Sequence, residues 1–172
     1  MSPETSVMIT GHRNLPGESW SWVAQEMDRC LGKLHALRGE LAAIQGLALG
    51  ADMLFGETAL RLGFPVDSYV PFPGQASKWP AHEQRRRDAL MAASRKIVHV
   101  VAEPITERHL VVRALHARND AMIRDSQIVI AVLDERTSGG THGAVKKALA
   151  RDREVLRINP TEHTTAWIRS IR

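Results

Sequence analysis

The chain has 172 residues, 44% hydrophobic and 24% charged, which is ordinary globular usage and excludes a disordered or fibrous protein. No apolar run approaches the roughly 18 residues of a membrane span, and the formal charge is only +4, compatible with nucleic acid or a nucleotide without demanding either. The polar start, Met1-Ser2-Pro3-Glu4-Thr5-Ser6, lacks the pattern of a signal peptide. The one cysteine, Cys30, has no partner for an internal disulfide, so a cytoplasmic protein without membrane association is expected.

Val7–Thr10 reads as a first strand, stopped by Gly11. Ser19–Leu37 has a helical stripe of Trp22, Val23, Met27, Cys30, Leu31 and Leu34. A second strand is expected over Leu41–Leu49, ended by Gly50, and a helix over Met53–Leu62 that Asp52 can cap. Val66–Val70 is a third strand and Pro71–Pro80 a loop. His82–Ala93 is a helix whose Arg85-Arg86-Arg87 run reads as a solvated face. Ile97–Val101 is a fourth strand, and Leu110–Arg124 a helix with Leu115, Ala121 and Met122 spaced for burial.

Ile128–Leu133 is continuous, apolar and rich in β-branched residues, as a strand covered on both faces should be. Asp134–Gly143 reads as a polar glycine-containing loop, Ala144–Arg151 as a helix and Val155–Ile158 as a last strand before an amphipathic tail with Trp167, Ile168 and Ile171. This alternation predicts an α/β domain: a doubly wound, mostly parallel sheet of five to six or more strands with helices on both faces. Ligands of such sheets bind beyond the carboxyl ends of the strands.

Three of those ends carry candidate residues. Ser138-Gly139-Gly140-Thr141 precedes a helix, where glycines let backbone N–H groups approach an anion and the helix start favours negative charge. At Gly50-Ala51-Asp52 the small residues permit close approach, and Asp52 can either cap its helix or bind ribose hydroxyls. At Thr10-Gly11-His12-Arg13, Arg13 can clamp a phosphate with paired donors. The dinucleotide fingerprint G-x-G-x-x-G and the hydrolase elbow G-x-S-x-G are both missing. The eight histidines lack metalloprotease spacing, so neither a metal nor a cofactor is expected. Cys30, on an apolar helix face, reads as a packing residue.

Taken in order, Arg118-Asn119-x-x-Met122, Asp125-Ser126, the strand Ile128–Leu133 and Gly139-Gly140-Thr141 resemble the SLOG superfamily, which groups the DprA/Smf proteins with the LOG phosphoribohydrolases. Thr10-Gly11-His12-Arg13, Gly50-Ala51-Asp52 and the Arg-Asn-x-x-Met block most resemble its YpsA-like branch. The resemblance spans roughly Val7 to Ile158 and implies a single Rossmann-like domain over residues 1–172. Its implied ligand is a nucleotide, nucleotide sugar or NAD-derived signal. In LOG enzymes an arginine of the Arg-x-x-x-Met block and a glutamate after Gly-Thr serve N-glycosidic cleavage. Arg118 matches the arginine, but Ala144 stands where the glutamate would be.

The expected function is therefore binding, with phosphate on Gly139, Gly140 and Thr141, ribose or base toward Gly11, Gly50 and Asp52, and Arg13 with Arg118-Asn119 as polar partners. The alternative is a nucleotide N-glycosidase of the phosphoribohydrolase kind, with Arg118, Asp52 and Glu57 catalytic and Asp134 a further acid near the pocket. A third reading is nucleic-acid binding of the DprA type, disfavoured by an aromatic content of 5%. Trp20 falls off the face that carries Trp22, and an exposed tryptophan makes an interface anchor. With the tail, this leads us to expect a homodimer or larger assembly.

Overall fold

A computed structural model describes residues 3–171; the first two residues of the polar start and the two ends of the expected 1–172 span lie outside the described residues. The elements run β1 (Thr5–Gly11), α1 (Gly17–Arg38), β2 (Leu41–Gln45), α2 (Ala51–Arg61), β3 (Val66–Val70) and α3 (Ala81–Ala93). They continue as β4 (Lys96–His99), α4 (Arg108–Asp125), β5 (Ile128–Val132), α5 (Gly140–Ala150), β6 (Glu154–Asn159) and β7 (Thr164–Ile168). The seven strands form one sheet in the order β4-β3-β2-β1-β5-β6-β7, all pairs parallel except β6 with β7.

Strand alternation divides the core. Val7 and Ile9 of β1 and Ile128, Ile130 and Val132 of β5 point to one face, where they meet Val23, Met27 and Leu31 of α1 and Phe55 of α2. Met8, Val129, Ala131 and Leu133 point to the other, under Met122 and Ile123 of α4 and Val145 of α5. Each of these side chains is buried, contributing about 1.5–3 kcal/mol for a full-sized apolar group. Burial on both faces is why β5 reads as an unbroken apolar run rather than an alternation. Cys30 lies in the α1 layer, and burial pushes its thiol up to about 11.

Four expectations need correction. The apolar run after Leu41 is not strand throughout: β2 ends at Gln45, and Leu47 and Gly50 take positive φ values of 55° and 82° in a buried turn. The helix expected from Ala144 begins at Gly140, so the glycine segment supplies its first turn. The tail is a seventh strand, with Leu156 opposite Trp167. In the arginine run only Arg85 is solvated. Arg86 pairs with Glu57 and Glu83, and the Arg87 side chain is 12% exposed.

The tryptophans also differ from expectation. Trp20 is half-buried against the α1–α2 core rather than exposed. Trp22 is half-buried and stacks on His163, ring centroids 4.6 Å apart. The exposed tryptophan is Trp167 on the edge strand, 49% accessible. No helix among the described residues is long and apolar enough to cross a membrane.

Candidate functional site

Strand order reverses between β1 and β5: the chain winds outward to β2, β3 and β4 on one side and to β6 on the other. Loops leaving adjacent strands in opposite directions leave a crevice beyond their carboxyl ends. Here it is a cleft of about 270 Å³. Its back is Thr10-Gly11-His12-Arg13, its floor holds Asp52 and Arg118, and one wall is the α4 face with Val112, Leu115, His116 and Asn119. The opposite wall is the 137–142 segment, including Ser138, Gly139, Gly140 and Thr141. Of the sequence candidates, Gly11, Arg13, Asp52, Arg118, Asn119 and Ser138–Thr141 thus meet in one place.

The back wall is built by close contact. A Cβ on Gly11 would stand 2.5 Å from the Ala51 Cβ and 2.9 Å from that of Val132, so only glycine lets α2 sit on the end of β1. The Ala51 N–H donates to the His12 carbonyl at 3.2 Å, and Gly50, at φ 82°, presses on the Arg13 and His12 carbonyl oxygens, where a Cβ would be 2.5 and 2.6 Å away. Gly50 and Ala51 therefore lie outside the cleft lining and hold the His12–Arg13 segment from behind.

The floor is a clamped peptide. Asp52 is not the helix cap; Gly50 occupies that position, and the Asp52 carboxylate instead accepts the Gly46 N–H at 3.0 Å. The Gly46 carbonyl accepts from Arg118 Nη1 at 2.7 Å, while Arg118 Nε donates to Asn119 Oδ1 at 3.1 Å. Both charged side chains are about 5% exposed. Burial pushes the Asp52 carboxyl up from its ordinary range, with Arg118 and the Gly46 N–H pulling it back. Burial pulls the Arg118 guanidinium down, opposed by Asp52, and it stays a cation at neutral pH.

The mouth is more open. Arg13 is exposed and makes no salt bridge among the described residues. Residues Gly140, Thr141 and His142 form the first turn of α5, whose N–H groups an α-helix leaves without intrahelical acceptors. Gly139, at φ 141°, turns the chain into that helix and is exposed with Ser138 and Gly140. Anion-seeking donors on one wall and an arginine at the back suit a phosphate.

Two of the proposed acids point elsewhere. Glu57 faces α3, where Arg86 holds it with paired hydrogen bonds, the Nη2–Oε2 contact being 2.7 Å. Asp134 accepts from the backbone and guanidinium of Arg136 and from Thr161 Oγ1, and the Arg136 hydrogen bond holds its carboxyl well below the usual carboxylate range. Asp52 is the acid that lines the cleft. His12 stands inside the Thr10–Arg13 motif, where the sequence gives a role to Arg13 alone; its Nε2 accepts the Asp134 N–H at 3.1 Å. It is half-buried, and burial lowers its pKa while Asp134 raises it. Leu115, expected in the core, is half-buried on the cleft wall, and Val112, His116 and His142 join the lining without a role read from the sequence; the three-to-four spacing of 112, 115, 116 and 119 on one α4 face is the signal for the α4 residues. Among the described residues no group of three or more His, Cys, Asp and Glu could hold a metal ion.

No family model matches the sequence, and no curated protein matches it. Solved structures do. DNA processing protein A (DprA) from Streptococcus pneumoniae matches 91% of this chain at 21% identity and a TM-score of 0.64. The Helicobacter pylori protein, described for its single-stranded DNA binding mode, matches 90% at 18% identity and 0.65. TM1055 matches 88% at 15% identity and 0.54, over 72% of its own length. The chain spans 50% of the first DprA chain and 65% of the second. In fold, the chain is Rossmann-like and shares its architecture with the DprA proteins and TM1055.

Proposed function

We propose that the protein binds a nucleotide or nucleotide-derived ligand in the cleft between β1 and β5, with phosphate between Arg13 and the first turn of α5. The observation that carries this is that an arginine without a salt-bridge partner among the described residues and a glycine-led helix start line the same crevice at the strand-order reversal. The sugar and base lie toward α4, because Val112 and Leu115 give that wall an apolar surface and Gly50 and Ala51 are occupied behind the back wall.

Thermal unfolding with AMP, ADP and ADP-ribose tests it. A ligand at 100 times its dissociation constant stabilises by about 2.7 kcal/mol, roughly 5–11 °C for a chain of this size. A Cβ at Gly140 meets nothing within 4 Å, so Gly140→Asp places a carboxylate in the phosphate position without a clash and removes the shift. A shift that survives Gly140→Asp, or none with any nucleotide, refutes the reading.

The glycosidase alternative now rests on Asp52, since Glu57 and Asp134 are engaged away from the cleft. Free base released from AMP, dAMP or NAD and abolished by Asp52→Asn would establish it over binding alone. The single-stranded DNA binding named for the Helicobacter pylori protein favours a nucleic-acid reading as well; retention of oligonucleotides in gels, lost steeply with salt, would support it. For self-association we place the contact at Trp167 and Leu37, which are 49% and 76% exposed. Light scattering of the wild type and of Trp167→Glu tests that surface.

A further inference from the structure

Beside the cleft lies a second groove of about 510 Å³, and Arg13 lines both. Its other borders include Trp20 from α1, Leu49 and Leu54 around the start of α2, and Glu83 and Arg86 from α3. We infer that this groove receives the second base of a ligand made of two nucleosides joined through phosphate, with Arg13 holding the linking phosphates between the two compartments. The inference rests on the reading of the cleft given above and extends it to the class of ligand.

Three observations support it. Arg13 stands where the two cavities meet, and a guanidinium is suited to bridging phosphate oxygens on more than one side. The groove's own charges are already balanced: Arg86 donates to Glu57 and lies 3.5 Å from Glu83. That leaves little attraction for further phosphate and suits an uncharged ring. Trp20, half-buried, gives the groove an indole at its border, and aromatic side chains stack bases irrespective of their identity. The Arg13 backbone is fixed by Gly50 beneath it, so the divide between the compartments is firm while the guanidinium above it is free to turn.

The test compares three probes on the full chain by calorimetry. AMP offers one base and one phosphate, ADP-ribose adds the pyrophosphate and a second ribose, and diadenosine diphosphate adds the second base. Diadenosine diphosphate is expected to bind at least tenfold more tightly than ADP-ribose. Trp20→Ala should remove that increment and leave AMP and ADP-ribose binding unchanged, with Trp20→Phe restoring most of it. Should Trp20→Ala fail to fold, 5-fluorotryptophan labelling of the wild type replaces it: the Trp20 fluorine resonance, assigned from Trp20→Phe, should move with diadenosine diphosphate and stay still with ADP-ribose. Equal affinities for the two probes, or a Trp20 signal that ignores the second base, overturns the inference and leaves the one-nucleotide reading standing. Failure of all three probes overturns both. A ten-residue single-stranded oligonucleotide that binds more tightly than diadenosine diphosphate, and depends on Trp20, overturns it in favour of a nucleic-acid strand.

Discussion

Replacing Gly46 by alanine probes the floor of the cleft at its tightest point. The added Cβ would stand 2.7 Å from Arg118 Cδ and 2.8 Å from its Nε and Nη1, well inside the roughly 3.5–4.0 Å at which carbon atoms pack. Arg118 has 5% of its surface exposed and cannot swing into water without giving up its hydrogen bonds to Gly46 and Asn119. A hydrogen bond to a charged group contributes about 1.5–3 kcal/mol, and overpacking costs about 1–3 kcal/mol. Because relief of the clash trades one cost for the other, Gly46→Ala should destabilise by about 3 kcal/mol, lowering Tm by roughly 6–12 °C. In an Arg118→Ala background the obstructing side chain is gone, and the same change should cost about 1 kcal/mol or less. Urea denaturation of the four proteins of this cycle gives the coupling directly. Equal costs in the two backgrounds, or a neutral Gly46→Ala, would refute the clamped-peptide account.

Gly50→Ala meets two carbonyl oxygens at 2.5 and 2.6 Å and a φ of 82°; urea denaturation should show a loss of about 2–4 kcal/mol, and no nucleotide-induced shift should remain. Glu57→Gln should lower stability by less than about 1 kcal/mol, because both partners are about a third exposed, and calorimetry should find nucleotide affinity unchanged. His12 has a folded pKa below its ordinary 6.5, so its neutral form contributes stability that is present above that value and lost as pH falls through it. Melting curves from about pH 8 to 5 should therefore fall less steeply for His12→Gln than for the wild type. The Cys30 thiol, buried and pushed up to about 11, should resist alkylation at pH 8 until the protein is denatured.

Legibility from the sequence tracked how local each cause was. β5 and β1 were readable because burial on two faces writes itself into consecutive apolar residues. β7 was not, since Thr164–Ile168 alternates between half-buried and exposed and owes its strand form to pairing with β6. Leu47–Leu49 looked like strand because apolar residues buried in a turn have the same composition as apolar residues in a sheet. At the site, Gly11, Arg13, Arg118 and the Gly139–Thr141 segment could be found because strand ends and glycines mark a crevice. The role of Asp52 could not, since the acceptor position it fills is set by where Gly46 lands. Nor could that of Glu57, whose direction depends on where α3 packs.

The pairing of β1 with β5 joins residues far apart in the chain, Val7 with Ile128 and Gly11 with Val132, whereas β1 through β4 pair with near neighbours in sequence order. During synthesis the β1–β4 half can assemble while α4, β5 and α5 are still being made, and the cleft comes into being only when the late half closes against β1. Such distant pairing is slow, so the binding surface is among the last parts of the molecule to exist. A ligand that bridges Arg13 and α5 would then act as a tie across the seam between the two halves, slowing their separation more than it hastens their joining.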